Sequence, residues 1–358
     1  MWLIIFMDKR RILVAPLNWG LGHATRCIPI IEKLLEEGFE PIIASDGAAL
    51  SLLRKEFPDL ISEELPSYNI RYPEAGESFR LKLIASLPRI RKAILEENVR
   101  TKQLVKKYSL KGVISDNRLG VRCKSIPSVV ITHQLNVLTG KTTFFSSLIH
   151  KHFIKKFDQC WVPDVRSKKN LSGTLGLTNK QSCQVKYIGP ISRLKFFKTE
   201  KRYDYLVLLS GPEPQREILE NLLLEKLQNL EKNILFVRGI MEKNQTSQKK
   251  GNIKVYNFLL GNQLENAINA SEVVIARSGY STIMDLAKLY KRAFFIPTPG
   301  QYEQLYLAKR FEKLKFAPFS LQDNFEVEKL EELKNYKGFS EFNFDNNFKD
   351  HLALFEGK

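Results

Sequence analysis

The sequence predicts an α/β protein built from two doubly wound, parallel-sheet domains that face a cleft, and three observations carry that reading. First, the 358 residues exceed the roughly 250 at which a single hydrophobic core stops growing. Second, the apolar run at 11–15, a glycine-bearing turn, an amphipathic stretch and a second apolar run at 41–44 spell strand, loop, helix, strand, the βαβ unit of a parallel sheet. Third, a new series of short apolar runs begins at residue 205 and repeats at 233–237, 273–276 and 293–297, separated by helical stretches.

Each element follows from local pattern. Cys27, Ile28, Ile31, Leu34 and Leu35 share one face of the first helix, and Gly38 is its stop signal. Val113-Ile114 and the run 128–132 continue the first sheet. Asp116 and His133 then fall just past strand ends, on the edge where open α/β sheets place ligands. The halves join near the Gly189-Pro190 turn. The expected domains are 1–190 and 191–345, with 346–358 crossing back to the first. Residues 245–251 read as a polar loop.

Composition narrows the function. No apolar run approaches the ~20 residues that span a bilayer, and the apolar start 1–7 lacks the basic leader and length of an export signal. Met7, just before a basic cluster, is an alternative start to Met1. Cys27, Cys123, Cys160 and Cys183 show neither metal-site nor disulfide-scaffold spacing, so a reducing cytoplasm and no metal site are expected. The net charge is +17, and residues 1–193 hold most of it, with 31 Lys and Arg against 17 Asp and Glu; the remainder has 25 against 22. The first half therefore faces something anionic.

Five stretches can carry chemistry. Asn18-Trp19-Gly20-Leu21-Gly22-His23 joins a strand to a helix, where glycines admit close backbone approach and the helix start offers N–H groups to phosphate. It is neither GxGxxG nor a P-loop. His23, opening the helix at the sheet edge, suits a general base, and Asp116 is the spare candidate. Arg277-Ser278-Gly279 repeats the strand-to-helix arrangement in the second half, with Asp285 placed to accept from ribose hydroxyls or to favour the helix dipole. Glu303 and Gln304, past another strand end, suit sugar hydroxyls. In 78–107, Phe79, Leu83, Leu87, Ile90 and Ile94 stand at helical spacing among Arg80, Lys82, Arg89, Arg91 and Lys92. Such a stretch either lies on anionic lipid, with 144–156 extending the patch, or packs on the sheet with a solvated basic face.

Taken in order from residue 11 to about residue 315, these motifs resemble the GT-B glycosyltransferases, specifically the MurG-like, family 28 branch. The resemblance implies that Gly20, Gly22 and His23 form the glycine-rich loop ending in histidine, and that 80–107 is a membrane-associating segment. It implies that 126–136, with His133, Gln134 and Asn136, is the acceptor-side strand and loop, with Asn18 and Trp19 beside it. Arg193, closing Ile188-Gly189-Pro190-Ile191-Ser192-Arg193, would reach the donor diphosphate. Phe258 and Leu259 would contact uracil, Arg277-Ser278-Gly279 matches the family's Arg-Ser-Gly, Asp285 takes the ribose position, and Gln304 takes that of the glutamine that reads sugar hydroxyls. The loop at Ser210-Gly211 departs from the pattern, because two prolines remove N–H donors before Arg216, which can compensate in phosphate contact.

The expected activity is transfer of a hexose or hexosamine from a UDP-sugar to an acceptor hydroxyl, inverting and without a metal or other cofactor. The expected partners are the nucleotide-sugar, a lipid-linked or glycan acceptor and an anionic membrane surface, on the inner face of the cytoplasmic membrane. Nucleic acid is not expected, since no recognition motif accompanies the charge. A GT-B-fold epimerase or nucleotide-sugar hydrolase is the enzymatic rival, and a non-catalytic anionic-lipid-binding module the other.

Overall fold

The computed structural model describes residues 10–19, 21–68, 79–136, 152–178, 184–211, 213–342 and 348–356, with backbone alone for 79–87. Gly20 and residues 144–151 of the basic stretch lie outside the described residues, as does Cys183.

The first half runs β1 (Arg11–Pro16), α1 (Gly22–Glu36), β2 (Glu40–Ser45), α2 (Gly47–Glu56), β3 (Ser62–Glu64), α3 (Phe79–Tyr108), β4 (Gly112–Asp116), β5 (Ser128–Ile131), β6 (Gln159–Val162) and β7 (Val185–Tyr187). These strands form one sheet in the order β3-β2-β1-β4-β5-β6-β7, every described pairing parallel. Ile12, Leu13, Val14 and Ala15 are fully buried, which is why β1 reads as an unbroken apolar run: helices cover both faces of a parallel sheet.

The second half runs β8 (Tyr203–Leu208), α4 (Gln215–Leu227), β9 (Ile234–Val237), β10 (Ser247–Lys250), β11 (Ile253–Tyr256), α5 (Gly261–Asn269), β12 (Ser271–Ala276), α6 (Tyr280–Lys288), β13 (Arg292–Phe295) and α7 (Tyr302–Lys313). Its sheet has the order β10-β11-β9-β8-β12-β13 and is parallel apart from the β10–β11 pair. Residues 247–250, expected in a loop, are that antiparallel edge strand; all four side chains are exposed, so the strand carries no apolar alternation to read. Leu171 and Leu175, within the expected first domain, pack into the second domain's core.

Strand order reverses between β1 and β4 in one sheet and between β8 and β12 in the other. Those switch points are where crevices open at the carboxyl edge of a doubly wound sheet. At the first, His23 opens the helix after β1 and Asp116 ends β4; at the second, the loops after β8 and β12 hold Ser210, Gly211 and Arg277 to Gly279.

Two buried devices fix the first half. Glu97 of α3, fully buried, accepts from Arg118 Nε at 2.6 Å, Tyr68 Oη at 2.6 Å and the Gly120 N–H at 3.1 Å, while Arg118 Nη1 donates to Asp46 at 2.8 Å. This pins α3 to the ends of β2 and β4. The chain end supplies the other. A short helix α8 (Phe348–His351) and the turn after it lay Phe348, Leu352 and Phe355 into the first domain's core, with the Phe348 ring 5.4 Å from that of Trp161. Phe355 sits so close to Gly112 that a Cβ there would meet its ring at 2.2 Å, so β4 must start on glycine.

All three tryptophans, at 2, 19 and 161, precede the second domain, so their fluorescence follows first-domain unfolding. Phe355→Ala is expected to lower that domain's stability by about 3 kcal/mol, the usual cost of emptying a buried aromatic site. Leu95→Ser, at a side chain that is 61% exposed, is expected to stay within about 0.5 kcal/mol. Equal urea midpoints for the two variants would contradict this packing.

Candidate active site

The first-domain wall of the cleft is assembled by α1. Ser281 of α6 donates to the Gly22 carbonyl at 2.9 Å, seating the start of α1 against the start of α6. His23, the second residue of α1, brings Nδ1 to 2.8 Å from Asp116 Oδ1 at the end of β4. One turn later Arg26, 2% exposed, donates Nε to Asp116 Oδ2 at 2.7 Å and Nη2 to Oδ1 at 2.5 Å, a bidentate pair. Burial alone would raise the Asp116 pKa, but Arg26 and His23 outweigh it and bring it to about 2, so this carboxylate stays ionised. With Nδ1 facing the carboxylate, His23 keeps Nε2 as its remaining nitrogen, on a side chain 15% exposed.

Arg26 also reaches His133: Nη1 lies 3.1 Å from His133 Nδ1. An arginine only donates, so Nδ1 accepts and the His133 proton sits on Nε2, which meets Glu303 Oε1 at 2.7 Å. Gln134 donates its side-chain amide to the other Glu303 oxygen. Burial lowers the His133 pKa, against the pull of Glu303. Burial tends to raise the Glu303 pKa, but His133 outweighs it and the net shift is downward. The His133 ring stacks on Tyr280 of α6 at 4.2 Å, and Tyr280 donates to the Pro163 carbonyl at 2.8 Å. Asp116, Arg26, His133 and Glu303 thus form a polar chain from one domain to the other.

On the second-domain wall, α6 begins at Tyr280 with no side chain capping it, and a Cβ added at Gly279 would meet nothing within 4 Å, so this helix start opens on free space. Gly211 likewise faces open space, with φ of 112°. Ser278 donates to the Gln304 carbonyl at 2.8 Å, and Gln304 Oε1 accepts from the Thr298 N–H at 2.8 Å. Asp285 accepts from Ser192 at 2.6 Å, and burial raises its pKa to about 6 against Ser192 and Arg193. Arg193 Nη1 donates to Glu56 Oε1, which also accepts from the Gly261 N–H at 3.2 Å, at the start of α5. Arg193 Nε is buried and has no hydrogen-bond partner among the described residues.

The remaining expected residues are placed elsewhere. Asn18 bridges Asp46 at 3.1 Å and the Ala49 N–H at 3.3 Å, so its amide secures the start of α2. Trp19 packs against the cluster of Leu17, Tyr68, Ala93 and Ile94. Asn136 donates to the Thr174 and Leu177 carbonyls at 2.8 and 2.9 Å. Arg277 is inside the second domain, donating to Ile296, Pro297 and Gln215 carbonyls and to Gln322, and burial lowers its pKa to about 9. Arg216 pairs with Glu213 and Glu220. Phe258 and Leu259 are buried, with Lys55 of the first domain 5.1 Å over the Phe258 ring. Ser210 follows β8 at the loop that holds Gly211. Sequence reasoning missed Arg26, Glu56 and Tyr280. The signal for Arg26 was a charge inside the otherwise apolar stretch from Ala24 to Ile31.

Residues 213–343 match the glycosyltransferase family 28 C-terminal domain. The chain is 26% identical over 329 residues to the UDP-N-acetylglucosamine--N-acetylmuramyl-(pentapeptide) pyrophosphoryl-undecaprenol N-acetylglucosamine transferase of Clostridium tetani, covering 86% of this chain and 84% of that one. It is 24% identical to an uncharacterized glycosyltransferase of Methanosarcina acetivorans, covering 82% and 81%. Among solved structures, Acinetobacter baumannii MurG superposes with a TM-score of 0.55 at 14% identity, covering 96% of this chain and 98% of that one. The kitacinnamycin glycotransferase gives 0.61 at 12% identity, covering 97% and 94%.

Asp285 yields a signed expectation. A carboxyl whose folded pKa of about 6 exceeds its unfolded value near ~3.9 stabilises the fold only at low pH, and that contribution is lost as pH rises from ~4 to about 6. Asp285→Asn should therefore gain on the parent chain between pH 4.5 and pH 7, read as melting-temperature differences. The same difference at both pH values would contradict the assignment.

Proposed function

Because the chain is a MurG-like glycosyltransferase with the GT-B fold, we propose that it moves a hexose or hexosamine from a UDP-sugar to an acceptor hydroxyl at the cytoplasmic face of a membrane, with inversion and without a metal. The observation that carries this reading is the His23–Asp116 pair at the mouth of the cleft. With Nδ1–H donated to Asp116, His23 Nε2 removes the acceptor's proton. The acceptor oxygen then bonds to the anomeric carbon as the bond from that carbon to the diphosphate oxygen breaks, and UDP leaves with the electron pair. Attack from the side opposite the leaving group inverts the centre. Asp116, held ionised, stabilises the imidazolium that forms.

The leaving diphosphate meets the uncapped start of α6 at Gly279 and the guanidinium of Arg193, whose Nε lacks a partner. A diphosphate that reaches Arg193 replaces Glu56 as its partner. These donors supply positive charge where the leaving group develops negative charge, the task a metal performs in other transferases. Asp285 takes the ribose. The UDP donor is supported by the activity for which the Clostridium tetani relative is named, and so is a lipid-linked acceptor, since that name specifies a pyrophosphoryl-undecaprenol. Exposed Leu95 and Val99, with exposed Arg89, Arg91 and Lys92 on the same helix, suit an anionic membrane surface. Among the described residues no helix is long and apolar enough to cross a membrane.

Two measurements test the reading together. In a thermal-shift screen UDP-sugars should raise the melting temperature, by the equivalent of about 2.7 kcal/mol at a hundredfold excess over Kd, while GDP- and dTDP-sugars should not. With membrane extract as acceptor source, His23→Ala should lower transfer by roughly a hundredfold or more at unchanged melting temperature; undiminished transfer removes His23 as the base. Release of UDP or an isomerised sugar from donor alone would favour the hydrolase or epimerase.

A further inference from the structure

Arg26 does more than keep Asp116 ionised. Its guanidinium binds both oxygens of Asp116 and lies 3.1 Å from His133 Nδ1; Nη2 also lies 3.0 Å from His23 Nδ1, an electrostatic contact rather than a hydrogen bond, because that nitrogen's hydrogen goes to Asp116. From this geometry we infer that Arg26 is a positioning residue: it offsets the charge of Asp116 beside His23, and it sets the tautomer through which His133 holds Glu303. The inference rests on the reading of His23 as base.

The charge count shows why the base needs a guanidinium beside it. Facing His23 are Asp116 from β4, Glu303 from α7, His133 from the loop after β5 and Arg26 from its own helix, while Cys27 and Tyr280 of α6 lie beside Arg26. Burial keeps Cys27 and Tyr280 protonated, as both are pushed well above their usual values. His133 is neutral because its Nδ1 accepts from Arg26. Two carboxylates against one guanidinium leave the cluster one charge short, and one proton on His23 closes it. Without Arg26, both carboxylates would hold His23 as imidazolium, and no base would remain at neutral pH.

His133 extends the effect across the cleft. Because Arg26 only donates, it forces the His133 proton onto Nε2, the one arrangement in which that ring can donate to the carboxylate of Glu303. The donor domain is thus latched to the same guanidinium that balances the base.

The test is an NMR titration of the His23 imidazole in the full chain, with carbon- and nitrogen-labelled histidine and no sugar donor present. Arg26→Met should raise the His23 midpoint by about one pH unit or more, which is a roughly tenfold lower ratio of free base to imidazolium at a given pH. Arg26→Lys, which keeps the charge and loses the fork, should leave that midpoint near the parent value while the His133 nitrogen shifts depart from the Nε2–H pattern. A purely structural arginine would move neither, and an unmoved midpoint in a folded Arg26→Met overturns the inference. Should that variant not fold, Arg26→Lys decides through His133: nitrogen shifts that keep the Nε2–H pattern without the fork are equally fatal. His23→Ala turnover tests the base separately, so loss of that reading and loss of this one are distinguishable.

Discussion

The bidentate pair between Arg26 and Asp116 is the interaction on which the rest of the site depends. Both groups are almost completely out of solvent, where each charge alone carries a desolvation penalty of several kcal/mol, and loss of one partner typically costs about 3–5 kcal/mol. A pair so costly to break can act as a fixed frame. It ties α1 to the end of β4 at the point where the first sheet reverses its strand order, and it holds Asp116 ionised for His23.

Around that frame the two domains meet through polar contacts as well as apolar ones, with Met241 and Leu260 of the second packed against the first core. Tyr306 Oη accepts from the Thr174 N–H at 2.8 Å and Arg310 donates to the Asn170 carbonyl at 2.8 Å, on the far side of the segment that also seats Leu171 and Leu175 in the second core. Glu56 to Arg193 and Glu303 to His133 complete the crossing. Individually such contacts are replaceable by ligand groups or water, which suits a cleft that must admit a donor and close on it.

Much of the architecture was legible because parallel strands buried on both faces leave apolar runs, and β1, β5, β8 and β12 all do so. The strands that left no such trace are short or exposed: β3 has three residues, none buried, and β10 is bare on all four. In the site, His23, Asp116, His133 and Glu303 announced themselves by position at strand ends and helix starts, and Gln134 by resemblance alone. Their convergence depends on long-range packing, with His133 and Glu303 170 residues apart, and nothing local encodes that. Arg26 was obscured for the opposite reason, standing on a helix face otherwise given to the core. Arg277 looked like a ligand by motif, yet its guanidinium serves three carbonyls and Gln322 that only the folded second domain gathers.

The central claim is that one guanidinium makes the base and the donor domain a single electrostatic unit. A double-mutant cycle on Asp116→Asn and Glu303→Gln, scored by unfolding free energy, tests it most directly, because these two carboxylates are linked through Arg26 and His133. The account predicts a coupling of about 0.5–3 kcal/mol, the range for members of one network, and additivity within ~0.3 kcal/mol would contradict it.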